Sequence, residues 1–190
     1  MSTNLSEGST TPAFITDFEG ARFIDEPLEG GGTFAVGQEE DINIIIFPET
    51  GEINDVFAGG NDTDVIQALN GDDNIQGGLG TDFVFGGEGD DIVRGGEGDD
   101  VVVGNEGSDI LISGSGSDIY EFFANQFVEG DVDLILDFEV GLDAIVVVGS
   151  TDVSYDATSG FLSVDGLDVA IVNGSPDLSV LDRSNSAVVF

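Results

Sequence analysis

Gly77-Gly-Leu-Gly-Thr-Asp-Phe-Val-Phe85, Gly86-Gly-Glu-Gly-Asp-Asp-Ile-Val-Arg94 and Gly95-Gly-Glu-Gly-Asp-Asp-Val-Val-Val103 are three successive copies of one nine-residue unit. Working outward, the unit runs seven times without a gap over 59–121: GGNDTDVIQ and ALNGDDNIQ come before, GNEGSDILI and SGSGSDIYE after. Position six is Asp in every copy: Asp64, Asp73, Asp82, Asp91, Asp100, Asp109 and Asp118. Position eight is always apolar: Ile66, Ile75, Val84, Val93, Val102, Leu111 and Tyr120. Glycine dominates positions one, two and four, where a tight turn needs residues tolerant of positive φ. Positions seven to nine then read as a short strand with the position-eight side chain turned inward. Two units make one coil, so units n and n+2 stack on the same side. The expected fold is all-β, a right-handed parallel β-roll with β-strand flanks capping both ends.

The chemistry of the unit suits a hard cation. Ca²⁺ takes six to eight oxygen ligands, supplied by carboxylates and backbone carbonyls. The glycine turn aims carbonyls at one spot and position six adds the carboxylate. A flexible glycine-rich linker would not place an apolar residue at every ninth position. A metal-free solenoid is the other alternative, but it would stack like-charged Asp side chains about 4.8 Å apart, a destabilising arrangement unless cations intervene. Over 59–121 there are 11 Asp, four Glu and one Arg, a net −14.

The array resembles the RTX (repeats-in-toxin) family of hemolysin-type calcium-binding repeats. The resemblance implies an ion between stacked turns. One turn gives the carbonyls of positions two and four with its Asp, the next gives the carbonyls of positions one and three with its Asp. Carried onto this chain, Asp64/Asp82 would be completed by Gly60 and Asp62 with Gly77 and Leu79, and Asp73/Asp91 by Gly71 with Gly86 and Glu88. Asp82/Asp100 would use Gly78 and Gly80 with Gly95 and Glu97. Asp91/Asp109 would use Gly87 and Gly89 with Gly104 and Glu106, and Asp100/Asp118 would use Gly96 and Gly98 with Ser113 and Ser115. Gly107 occupies the position-four place of the sixth unit. That is about five inter-turn Ca²⁺ sites, with Ca²⁺ as the one implied cofactor. Departures fall at the ends: Asp62, Ala68, Leu69, Asn105 and Ser113 stand where glycine is expected. Downstream, Asp133-Leu-Ile-Leu-Asp-Phe-Glu-Val-Gly-Leu-Asp-Ala-Ile145 resembles the stretch that often follows such arrays, so Asp133, Asp137 and Asp143 are further candidate ligands or, alternatively, turn acids. Asp118-Ile-Tyr-Glu-Phe-Phe123 resembles the usual last strand.

Composition narrows the function. The 190 residues carry 39 acids against three Arg, a net charge of −36. Such a chain needs counter-charge when compact and is repelled by nucleic acid and anionic membranes. There is no Cys or His, which removes disulfides, thiolate chemistry and the commonest general base. Neither H-E-x-x-H nor G-x-S-x-G occurs, and nothing singles out a carboxylate pair, so a non-catalytic protein is expected. No stretch reaches the ~20 apolar residues of a membrane span, and the start lacks a secretory n- and h-region.

Residues 1–58 read as an N-terminal β flank, the first 12 frayed, with strands at Phe34–Val36 and Ile42–Phe47 and a turn at Pro48–Gly51. Residues 122–190 read as a C-terminal β cap, with strands at Val132–Phe138, Ala144–Val148, Gly160–Val164 and Val169–Val172 and a hairpin around Ala157–Gly160. Ser186–Phe190 is either a final strand or a type I secretion signal. Positions seven and nine of the odd units should face outward, so Phe83, Phe85, Val101, Val103 and Ile119 would line one outer face. Either the chain's own flanks cover that stripe, or it serves self-association or a surface or glycan partner. The resemblance implies a secreted or cell-surface bacterial protein, exported by a type I system, that folds on binding Ca²⁺ and has a structural, interactive or sequestering role. The alternatives are an adhesin-like, calcium-dependent polysaccharide-binding module and a folding and secretion module of a larger enzyme.

Overall fold

The structure, a computed structural model, describes residues 34–36, 44–46, 54–150, 152–173, 182–184 and 187–189. Among these, every regular element is a strand. Before the array come β1 (Phe34–Val36), β2 (Ile44–Ile46) and β3 (Val56–Ala58). The array forms β4 (Val65–Asn70), β5 (Asn74–Leu79), β6 (Phe83–Glu88), β7 (Ile92–Glu97), β8 (Val101–Glu106), β9 (Ile110–Ser115) and β10 (Ile119–Phe123). After it come β11 (Asp133–Ile135), β12 (Ala144–Val148), β13 (Val153–Asp156), β14 (Phe161–Val164), β15 (Leu167–Val172), β16 (Asp182–Ser184) and β17 (Ala187–Val189).

Up to β12, odd and even strands segregate into two sheets. One runs β1-β3-β5-β7-β9-β11-β15-β14-β13, the other β16-β17-β12-β10-β8-β6-β4-β2. Within the array each strand pairs in parallel with the strand one coil away: Val65 lies against Phe83, Phe83 against Val101, and Val101 against Ile119. The period of eighteen residues per coil is thus the two-unit coil expected of a parallel β-roll.

Alternation in the strands builds the core. Ile66, Ile75, Val84, Val93, Val102, Leu111 and Tyr120, all at position eight, are fully buried between the sheets. Each such side chain contributes roughly 1.5–3 kcal/mol relative to exposure. Phe57, Ile135 and Ile145 continue the same rows beyond the array. Parallel stacking does likewise: β3 pairs with β5, β11 with β9 and β12 with β10. At the C-terminal end the direction changes. β15 lies parallel to β11, and β14 and β13 add to it antiparallel, while β17 and β16 add antiparallel to β12.

Several expectations need adjustment. β4 to β9 are each six residues long, running from position seven to position three of the next unit. Stacked coils share one backbone path, so pairing resumes after the position-one kink, with Gly78 against Gly96 and Leu79 against Glu97. The strand at Val132–Phe138 is confined to Asp133–Ile135, and Gly160 lies in the turn before β14. Asp118–Phe123 does not end its sheet, because β12 stacks on it. The hairpin over Ala157–Gly160 is as expected, with Asp156 facing Phe161. Of the Ile42–Phe47 and Ser186–Phe190 stretches, the described parts Ile44–Ile46 and Ala187–Val189 are strands. Residues 1–12 and Pro48–Gly51 lie outside the described residues.

The outer stripe is only partly open. Phe83 and Ile119 are 38% and 37% exposed, Phe85 and Val101 are half-buried. Val103, expected to face outward on that stripe, is buried. It borders a small cleft with Phe122, Phe123, Gln126 and Phe127, so the segment after β10 covers that end of the stripe. Among the described residues no helix is long and apolar enough to cross a membrane.

Candidate metal centre

The position-six Asp side chains form two buried ladders, one on each side of the roll. Each backbone N–H donates to the carboxylate Oδ1 of the Asp one coil further on. On one side Asp64 donates to Asp82 at 2.8 Å, Asp82 to Asp100 at 2.8 Å and Asp100 to Asp118 at 2.9 Å. On the other, Asp73 donates to Asp91 at 2.7 Å and Asp91 to Asp109 at 2.8 Å. All seven Asp are buried. The Oδ2 atoms of Asp73, Asp82, Asp91, Asp100, Asp109 and Asp118 are buried with no hydrogen-bond partner. A buried carboxylate oxygen without a partner is costly, and six of them aligned in two rows make a place for cations.

The glycine turns place carbonyls beside these oxygens. A methyl built on Gly95 would overlap both Asp100 Oδ2 and the Ser113 carbonyl oxygen. The same overlap occurs at Gly77, with Asp82 Oδ2 and Gly95 O, and at Gly86, with Asp91 Oδ2 and Gly104 O. At positions two and four, methyls on Gly78, Gly96, Gly80, Gly98 and Gly89 would strike the carbonyl oxygens of Gly60, Gly78, Asp62, Gly80 and Gly71. Gly87 and Gly107 are constrained in the same way by the carbonyls of Leu69 and Gly89. The position-three carbonyls of Glu88, Glu97, Glu106 and Ser115 accept N–H bonds from Gly71, Gly80, Gly89 and Gly98. Each keeps a second lone pair. Leu79, at position three, has an exposed side chain. Among the described residues no three acidic side chains converge on one point, so backbone carbonyls must complete any ion's shell.

Two non-glycine residues hold the glycine conformation at position two: Leu69 at φ 82° and Asn105 at φ 81°. The turn geometry is therefore kept where the sequence departs from the repeat, at the cost of backbone strain.

Burial sets the electrostatics. Desolvation lifts the carboxyl of Asp91 to about 8, those of Asp82 and Asp109 to about 7, and those of Asp73 and Asp100 to about 6. The N–H bond that each accepts opposes the rise, and neighbouring carboxylates add to it.

Both ladders continue past the seven units. Asp55 donates its N–H to Asp73 at 2.6 Å. Asp109 donates to Asp133 at 2.9 Å and Asp118 to Asp143 at 3.1 Å. Asp133 and Asp143, candidates from the sequence, therefore stand at position six of a further coil, with spacings of 24 and 25 residues in place of 18. Burial raises the Asp133 carboxyl to about 8 and raises that of Asp143. Asp137 joins neither ladder. Its carboxylate accepts from the N–H groups of Ser113 and Gly114 and from the Tyr120 hydroxyl. Asp55 is the residue that sequence reasoning missed. Thr50–Ala58 has Asp at position six and Phe57 at position eight, but only one of its three glycine positions is filled.

The geometry and the repeat agree with a family comparison. The family model of the RTX calcium-binding nonapeptide repeat matches residues 49–84, 58–93 and 85–120, in four copies. Residues 49–120 are RTX calcium-binding repeats. The match includes the unit around Asp55 and covers the N-terminal side of both ladders. No curated protein sequence matches this chain. RTX repeats bind calcium, and the all-oxygen donor set here fits that ion.

Proposed function

We propose that this chain is a non-catalytic calcium-binding module of an exported or cell-surface bacterial protein, and that its roll is completed by Ca²⁺. The reading rests on the six buried, unpartnered Asp oxygens, three of which, on Asp82, Asp91 and Asp100, share the space beside a position-one glycine with a backbone carbonyl. Within the gaps between like-faced units the position-six pairs Asp64/Asp82, Asp73/Asp91, Asp82/Asp100, Asp91/Asp109 and Asp100/Asp118 hold the ions, with position-one, -two and -four carbonyls beside them. Ca²⁺ supplies charge neutralisation and a coordination shell to oxygens that otherwise repel one another, so its binding free energy adds directly to folding. Composition suits the same scheme: a chain of net charge −36 repels itself where calcium is scarce and becomes compact where it is abundant. Native mass spectrometry of the chelator-stripped chain titrated with CaCl₂ tests the reading. At least five ions per chain are expected. Uptake of none or one at millimolar calcium would refute it.

A further inference from the structure

Tyr120 departs from the other position-eight residues by carrying a hydroxyl into the core. It is fully buried, and its oxygen donates to Asp137 Oδ1 at 2.6 Å while accepting the Ser113 N–H at 3.0 Å. Asp137 also accepts the Ser113 N–H at 3.1 Å and, through Oδ2, the Gly114 N–H at 2.9 Å. Both Asp137 oxygens are thus spent on protein donors.

The Gly114 N–H belongs to the same peptide plane as the Ser113 carbonyl. In a trans peptide the two point in opposite directions. The Ser113 carbonyl oxygen lies beside Asp100 Oδ2 in the space beneath Gly95, within the Asp100/Asp118 gap. Holding the N–H on one side therefore aims the carbonyl on the other, and a charge-assisted bond to that N–H also polarises the peptide. Ser113 stands where the repeat has glycine, at the point where regular units give out.

We infer that Asp137, backed by Tyr120, is a positioning residue for the Asp100/Asp118 cation site. It is not itself a ligand; it orients the Ser113 carbonyl through the Ser113–Gly114 peptide. The loop after β11 thereby sets the Asp100/Asp118 site. The inference rests on the calcium reading above, and the experiment separates the two.

The test titrates the full chain with CaCl₂ by calorimetry and counts ions by native mass spectrometry for wild type, Asp137→Asn, Tyr120→Phe and Asp118→Asn. Amide hydrogen exchange at Ser113 and Gly114 is followed in parallel. Asp137→Asn is expected to keep the wild-type ion count at saturation, weaken one binding step by about tenfold, within the range for residues that orient metal ligands, and speed exchange at both amides. Tyr120→Phe, which leaves the charge unchanged, keeps the count, weakens the same step less and speeds exchange at Ser113. Asp118→Asn lowers the count. Loss of an ion in Asp137→Asn would make Asp137 a ligand and overturn the inference; so would wild-type affinity in Tyr120→Phe, which also serves if Asp137→Asn does not fold. Absence of ions from wild type would instead overturn the calcium reading itself.

Discussion

The backbone N–H of Asp82 donates to Asp100 Oδ1 at 2.8 Å and leaves Asp100 Oδ2 buried without a partner. One oxygen of each inner ladder carboxylate thus ties adjacent coils together, and the other is available to a cation. The same residue serves the fold and the site, so the two cannot be perturbed separately at position six without choosing the substitution with care.

Asp100→Asn separates them. The Asn carbonyl oxygen still accepts the Asp82 N–H, while the negative charge between Asp82 and Asp118 is gone. The variant is expected to bind one or two ions fewer than wild type and to be more stable than wild type when calcium is absent, because a raised, repelled carboxyl is replaced by a neutral group. Native mass spectrometry in calcium counts the ions, and circular dichroism in chelator reads the residual β structure, expected to be greater in the variant.

Acid should substitute for calcium in part. The carboxyls of Asp73, Asp82, Asp91, Asp100 and Asp109 lie at about 6 to 8 in the roll, above the value near 4 of an unfolded chain. The ion-free roll therefore holds protons that the unfolded chain releases. Its stability is fullest below about pH 4 and is lost as pH rises through 6 to 8. Circular dichroism and thermal melts of calcium-stripped protein are expected to show more β structure and a clearer unfolding transition at pH 4 than at pH 7.5. In the same range calcium competes with protons, so its affinity falls as pH drops from 8 to 5.5.

Crowding at position one makes Gly95→Ala severe. The new methyl meets Asp100 Oδ2 and the Ser113 carbonyl oxygen, and the second is backbone that cannot swing aside. A loss of about 3 kcal/mol or more is expected, with calcium uptake reduced at the neighbouring site. Chemical denaturation in saturating calcium reads the first, ion counting the second.

Leu69→Gly should act in the opposite direction. Leu69 sits at φ 82°, a conformation that costs a side-chain-bearing residue about 1–2 kcal/mol. Relief of that strain is partly offset by greater chain entropy in the unfolded state, leaving a net gain of about 0.5–1 kcal/mol in calcium-saturated stability by denaturant titration.

The parallel roll was legible because its two determinants, Asp at position six and an apolar residue at position eight, recur at a fixed spacing. Where the spacing changes, legibility drops. Asp133 and Asp143 sit in the ladders at offsets of 24 and 25 residues, since longer loops intervene, and only resemblance pointed to them. Asp55 was missed because weight was placed on glycine, and a turn can be built with other residues, as Leu69 and Asn105 show. At Val103 strand alternation says which way the side chain points and not what folds over it; of the two expected covers it is the chain's own flank, with Phe122, Phe123, Gln126 and Phe127 bordering it. The Tyr120–Asp137 contact joins two elements outside the repeat's logic, and no local pattern announces it.

The central claim is that calcium completes this fold, and far-ultraviolet circular dichroism of the calcium-stripped full chain at pH 7.5 tests it most directly. On titration with CaCl₂, a weakly structured spectrum is expected to convert to a β spectrum in step with ion uptake, and to revert when chelator is added. A full β spectrum that persists in excess chelator, unchanged by calcium, would contradict the account.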